Sequence, residues 1–134
     1  MGRRRVAVLD DDDDVLRLVA ALLERAGHEA VTYAGRFDRL NFLVQHEPDL
    51  VLLDINMPGV GGDEFFELMR DDPRLAHLPV LFLSSNDEGE LRRLVQRTGA
   101  AGYIPKADLG RSFVARVERH LGALGALVEP AAAS

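Results

Sequence analysis

Five carboxylates stand in a row at residues 10–14, directly after the apolar run VAVL of residues 6–9. The same kind of junction recurs along the chain: Asp54 follows LVLL (50–53), Ser84 and Ser85 follow VLFL (80–83), and Lys106 comes shortly after AGYI (101–104). If these run-ends share one edge, then Asp10, Asp11 and Asp54 converge with a hydroxyl and an ammonium group. Carboxylates so placed raise one another's pKa unless a cation relieves the repulsion. Magnesium fits such a pocket, because it takes oxygen ligands octahedrally, keeps several waters and needs only one or two carboxylates from the protein. The site would then be half empty and ready for an anion.

The acidic run divides by role. Asp10 and Asp11 end the apolar run and would form the metal pocket. Asp12 is placed to N-cap the helix that follows, and Asp13 and Asp14 fall in its first turn, where the helix dipole favours negative charge. A calcium-binding EF-hand loop is the rival arrangement. It fails because Val15 stands where the loop's glycine must be and Ala21 where its bidentate glutamate must be. A merely solvated acidic run is the plainer alternative, disfavoured because the other run-ends supply matching parts.

The apolar runs at 6–9, 30–33 (AVTY), 50–53, 80–83 and 101–104 are apolar on both faces, the mark of parallel strands covered by helices on both sides. Between them lie segments with helical spacing: Val15, Leu18, Val19, Leu22 and Ala26; Phe37, Leu40 and Val44; Phe65, Leu68 and Met69; Leu91, Leu94 and Val95; Phe113, Val117, Leu121 and Leu124. Gly27 ends the first helix, HEP (46–48) closes the second, and DDPRLAHLP (71–79) is a loop before the fourth strand. This alternation predicts an open, doubly wound parallel α/β sheet with its site at the carboxyl ends of the strands.

At 134 residues the chain predicts one domain with a full core. Its 47% hydrophobic and 28% charged composition is that of an ordinary globular protein, and no apolar stretch reaches membrane-spanning length. The opening MGRRRVAVLD stops being apolar too soon for a signal peptide, so a cytoplasmic location is expected. The absence of cysteine excludes disulfides, thiolate metal sites and cysteine nucleophiles. With 16 Lys and Arg against 22 Asp and Glu, direct nucleic-acid binding is not expected. His28, His46, His77 and His120 lack ligand spacing and read as surface or loop residues, while Met57, Phe65 and Phe66 read as packing.

Four motifs in order, VAVLDDDDDV, PDLVLLDINMPGVGG, PVLFLSS and GAAGYIPK, resemble the receiver domain of two-component response regulators, over about residues 5–121. The resemblance implies a five-stranded sheet of order 2-1-3-4-5 in a flavodoxin-like or CheY-like (βα)5 fold. It makes residues 1–121 the receiver and 122–134 a tail or the start of a linker. It implies Asp54 as phosphoacceptor, Asp10 and Asp11 as the acidic Mg²⁺ pair, and Asn56 as the residue whose backbone carbonyl completes the protein ligands. Ser84 becomes the switch hydroxyl, Lys106 the phosphate-pairing lysine and Tyr103 the switch aromatic. The implied partners are a histidine kinase or phosphotransfer protein and a downstream protein that meets the face of the fourth helix, fifth strand and fifth helix. That face carries Arg92, Arg93, Arg97, Arg111, Arg116 and Arg119, so an acidic partner is expected.

Receiver domains usually follow the lysine with a cis proline; here Ala107 follows and Pro105 precedes it. Without proline a cis bond costs roughly 2.5–4 kcal/mol, so a trans Lys106–Ala107 peptide is predicted. Pro105 is tolerable if the fifth strand is an edge. Two other functions compete. A pseudo-receiver would share the fold without a working phosphoacceptor, and retention of the site residues disfavours it. A Mg²⁺-dependent phosphatase would need a general-acid aspartate two residues beyond the nucleophile, where Asn56 stands.

Overall fold

The computed structural model describes residues 3–122 apart from 36, 58, 60 and 111. Arg111, Leu124 and nearly all of the expected tail therefore lie outside the described residues. Five short strands, β1 (Arg5–Leu9), β2 (Glu29–Tyr33), β3 (Leu50–Asp54), β4 (Val80–Ser84) and β5 (Gly102–Pro105), form one parallel sheet in the order β2-β1-β3-β4-β5. Helices α1 (Asp13–Arg25), α2 (Arg39–His46), α3 (Gly62–Asp71) and α4 (Glu88–Thr98) connect them in turn. A 3₁₀ turn, Lys106–Asp108, follows β5, and residues 113–122 form a last helix, α5.

The three inner strands are buried along their whole length or nearly so, because each has helices on both faces. Val6, Val8, Leu52, Leu83 and Ile104 face α1 and α5, where Leu16, Val19, Leu23, Phe113, Val117 and Leu121 close one core. Ala7, Leu9, Val51, Leu53 and Phe82 face the other way, onto Leu43 of α2, Phe65, Phe66 and Met69 of α3, and Met57. The residues alternate between faces along each strand, as the two-residue period requires. Met57, Phe65 and Phe66 are thus packing residues, as expected.

Register sets the site. Leu9 pairs with Leu53, Asp54 with Leu83, and Ser84 with Pro105. Asp10, Asp54, Ser84 and Lys106 therefore leave the sheet within about one residue of a common edge. Pro105 lies in an edge strand, where its missing N–H breaks no ladder. There is no cis peptide among the described residues, so the Lys106–Ala107 bond is trans.

The helix faces differ in detail from the spacing. Leu18 is 44% exposed, and Leu16 and Leu23 take its place in the α1 core stripe. Phe37 precedes α2 and is 79% exposed, while Leu43 is the buried α2 anchor. In α3, Phe66 is inside and Leu68 is largely outside. His28 also departs from the surface reading: it is buried, with Nε2 3.0 Å from Glu118 Oε2 on α5. Apolar periodicity finds a helix but leaves its rotation open by one position when leucines adjoin on both sides.

Candidate functional site

Each site residue is held by the local structure that its neighbours dictate. Asp10 emerges from β1 completely buried, and its Oδ1 accepts a hydrogen bond of 2.9 Å from the Asp12 amide. That bond turns the chain into α1. The Asp12 side chain in turn accepts from the Asp14 and Val15 amides, the N-cap expected of it, with Asp13 and Asp14 in the first turn. Asp11 is left exposed at the pocket rim. Asp54, the last residue of β3, is buried, and its Oδ1 accepts from the Asn56 amide at 3.1 Å. The turn after it is closed by the Gly62 amide donating to the Ile55 carbonyl. A Cβ on Gly62 would stand 2.5 Å from Ile55 Cα, so only glycine lets α3 start this close to the site.

Lys106 enters from the opposite side of the edge. Its Nζ lies 2.9 Å from Asp10 Oδ2 and 3.6 Å from Asp54 Oδ2. Burial works against the Lys106 charge, but the hydrogen bond to Asp10 and the charges of Asp54, Asp10 and Asp12 hold its pKa above the ordinary value. The trans peptide at Ala107 has not kept the ammonium from the pocket. Asp54 shows the opposite strain: burial, aided by the Asp10 charge, pushes its pKa from 3.8 up to about 6, against the Asn56 hydrogen bond and Lys106. One lysine does not neutralise two buried carboxylates and a third at the rim.

Asp10, Asp11 and Asp54 each offer a carboxylate oxygen within 4.8 Å of the others. An all-oxygen, net-negative donor set, in which a carboxylate is held protonated up to about pH 6, fits a hard divalent cation such as Mg²⁺. On the far side of Asp54 the loops after β3 and β4 are joined. Asn56 Nδ2 donates to Ser84 Oγ at 3.2 Å and to Asn86 Oδ1 at 2.9 Å, and the Asn86 amide donates to Ser84 Oγ at 2.9 Å. Ser84 is buried and Ser85 exposed, so only the first of the two serines after β4 belongs to the site. Tyr103 is half-buried on β5, and its hydroxyl donates to Glu88 at 3.2 Å and accepts from Arg92 Nε at 3.3 Å, both on α4. Glu88 had no signal in the sequence, because its partner arrives from another element.

Comparison with known proteins places this geometry. The family model described as "Response regulator receiver domain" matches residues 6–118. Protein RcaC of Microchaete diplosiphon is 35% identical over 117 residues, covering 87% of this chain and 18% of RcaC. The polar-differentiation response regulator DivK of Brucella ovis is 29% identical over 123 residues, covering 89% of this chain and 97% of DivK. Among solved structures, the BeF3-activated N-terminal receiver domain of Klebsiella pneumoniae RstA is 28% identical with a TM-score of 0.77, covering 87% of this chain and 97% of that one.

Proposed function

This chain belongs to the response-regulator receiver domain family, and from that premise we propose that it is a phosphorylation-dependent switch charged at Asp54 by a histidine kinase or phosphotransfer protein. The observation that carries this reading is the meeting of Asp10, Asp11, Asp54, Lys106 and Ser84 on one strand edge. In the proposed reaction an Asp54 carboxylate oxygen attacks the phosphorus of a phosphohistidine. The O–P bond forms as the P–N bond breaks, and the electron pair leaves on the imidazole nitrogen, which takes up a proton.

The chain's own residues set the terms of that step. With its pKa near 6, Asp54 is mostly ionised at neutral pH and available as nucleophile. Lys106 supplies positive charge where phosphoryl oxygens would lie. Asp10, Asp11, Asp54 and the Asn56 backbone carbonyl would hold Mg²⁺, which when bound supplies charge neutralisation between carboxylates and phosphoryl oxygens. Asn56 and Asn86 flank the path by which water reaches the acyl phosphate and tune its lifetime. Water then attacks the phosphorus of the aspartyl phosphate, the Asp54 O–P bond breaks and inorganic phosphate leaves, so the chain acts only on its own phosphorylation and dephosphorylation; receiver domains are signalling modules rather than conventional enzymes.

The switch begins at Ser84. Its Oγ already accepts from Asn86 and Asn56, which leaves its own O–H as a donor for a phosphoryl oxygen. Movement of that hydroxyl toward Asp54 opens space for Tyr103 to turn, at the expense of its bonds to Glu88 and Arg92. The face of α4, β5 and α5 then changes. Arg92, Tyr103, Arg116 and Arg119 line a cleft of about 300 Å³ there, with Arg116 paired to Asp108 at 2.9 Å, whereas Arg93 and Arg97, expected on this face, line a cleft on the α3 side of α4 instead. The surface that remains is basic on a chain of net charge −6 and suits an acidic downstream partner. No helix among the described residues is long and apolar enough to cross a membrane; the proposed kinase donor puts the chain in the cytoplasm. The proposed receiver unit spans residues 1–121, with 122–134 a tail or the start of a linker.

Amide chemical shifts recorded with and without Mg²⁺ and beryllofluoride test the switch. Shifts that run from Asp54 through Ser84 to residues 91–119 are expected. Changes confined to the strand ends would contradict it and favour the competing reading, a pseudo-receiver whose binding face ignores phosphorylation.

A further inference from the structure

Among the described residues three large apolar side chains are largely exposed: Leu18 on α1, Phe37 ahead of α2 and Leu68 on α3. Scattered singly, such residues are ordinary on a protein surface. Phe37 and Leu68 are not scattered, because both line one cleft of about 440 Å³ between α2 and α3, with Leu40 and Phe65 beside them and Asp38 and Arg74 at its edge.

The segment that carries Phe37 is braced. The Tyr33 hydroxyl donates to the Phe37 carbonyl at 2.5 Å, and the Tyr33 ring stacks on Phe42 of α2 with centroids 4.8 Å apart. Arg39 Nε donates to the Gly35 carbonyl at 3.0 Å. A Cβ on Gly35 would stand 2.6 Å from the Tyr33 ring, so only glycine lets the backbone pass this close. These bonds hold backbone at residues 35 and 37 while the Phe37 side chain stays in solvent. An anchor held in place before it is covered loses less freedom on binding.

Charge says what kind of partner covers it. Residues 37–47 and 62–74 carry seven acidic side chains against three basic ones. The basic ones are committed: Arg39 is buried, Arg70 donates to the Thr98 carbonyl at the end of α4, and Arg74 makes two bonds to Asp72. Asp63 is paired with Arg97, but Asp38, Glu64 and Asp71 have no ion pair with any described residue. Glu64 and Asp71 lie four residues before and three after Leu68, on its own helix face. A second copy of the chain does not fit. Two such faces would set acid against acid, and the basic α4–β5–α5 face has no largely exposed large apolar side chain among the described residues to fill the cleft.

We propose that the α2–α3 cleft is a docking surface for a basic amphipathic helix of a protein partner. Its apolar ridge seats between Phe37 and Leu68, and its lysines or arginines meet Asp38, Glu64 and Asp71. The surface is separate from the Asp54 edge, and the inference does not rest on phosphoryl transfer.

The test uses the whole chain and two synthetic helical peptides, one with leucine on one face and lysine on the other, the second with glutamate in place of lysine. Amide chemical shifts are followed as each peptide is added. The leucine–lysine peptide should shift residues 37–41 and 64–72, and the leucine–glutamate peptide should not. Phe37→Ser and Leu68→Ser should each weaken binding about tenfold, as loss of a central apolar anchor does, while Leu18→Ser should leave it unchanged. Shifts confined to the acidic edge at residues 10–14, equal binding of the two peptides, or Phe37→Ser binding as wild type does would each overturn the proposal. So would self-association of the peptide-free chain in sedimentation that is lost in Phe37→Ser, since a second copy would then be the occupant.

Discussion

At the scale of single residues, Asp54 carries a consequence for stability. Its folded pKa of about 6 lies above the ordinary 3.8, so the native state holds the proton more tightly than the unfolded chain does. The group is neutral in both states below about pH 4, and its contribution to stability is lost as pH rises from there through about 6. In metal-free buffer the loss is on the order of 2–3 kcal/mol. Asp54→Asn carries no such proton, so it should be more stable than wild type at neutral pH and equal to it near pH 4, as read by urea midpoints in a chelator. A constant difference across that range would count against the buried-carboxylate account. Mg²⁺ affinity should fall as pH drops through about 6, because binding needs the ionised carboxylates. Asp10, Asp54, Ser84 and Lys106 were legible because each ends or follows an apolar run. The Asn56–Asn86 bond and the contacts of Tyr103 with Glu88 and Arg92 were not, since they join loops and elements whose relative placement is a product of the fold.

At the scale of elements, α1 offers two tests. Asp12 accepts from two amides at the helix start, so Asp12→Ala should cost about 1 kcal/mol by thermal or chemical unfolding without closing the metal pocket. Leu23 is fully buried against the sheet and Leu18 is largely exposed. Leu23→Ala is expected to cost about 2–5 kcal/mol and Leu18→Ala less than about 0.5 kcal/mol. Equal losses would mean that the stripe is rotated from the one described. The sequence pattern put Leu18 in that stripe because residues 15, 18, 19 and 22 fit the helical period as well as 16, 19 and 23 do. Packing against Val6 and Val8 and the neighbouring strands decides between them. The N-cap, by contrast, was legible from Asp12 alone, because its partners are its own neighbours.

At the scale of the whole molecule, the alternation of apolar runs and helical stripes is what made the sheet readable. Five parallel strands with short crossovers leave few arrangements, and the one found places the strand ends flush. Long-range ties such as the contact of buried His28 with the partly exposed Glu118, from the α1–β2 connection to α5, have no local signature. The same topology joins the acidic edge to the α4–β5–α5 face through β4 and β5, which is the route the proposed switch requires. That route has meaning only if Asp54 takes a phosphoryl group. Intact-mass measurement of the wild type and Asp54→Asn, each incubated with acetyl phosphate with and without Mg²⁺, tests this most directly. The wild type should gain one hydroxylamine-labile phosphoryl group in the presence of Mg²⁺ only, and Asp54→Asn none. A wild type that stays unmodified with Mg²⁺, or an Asp54→Asn protein labelled to the same extent, would contradict the account.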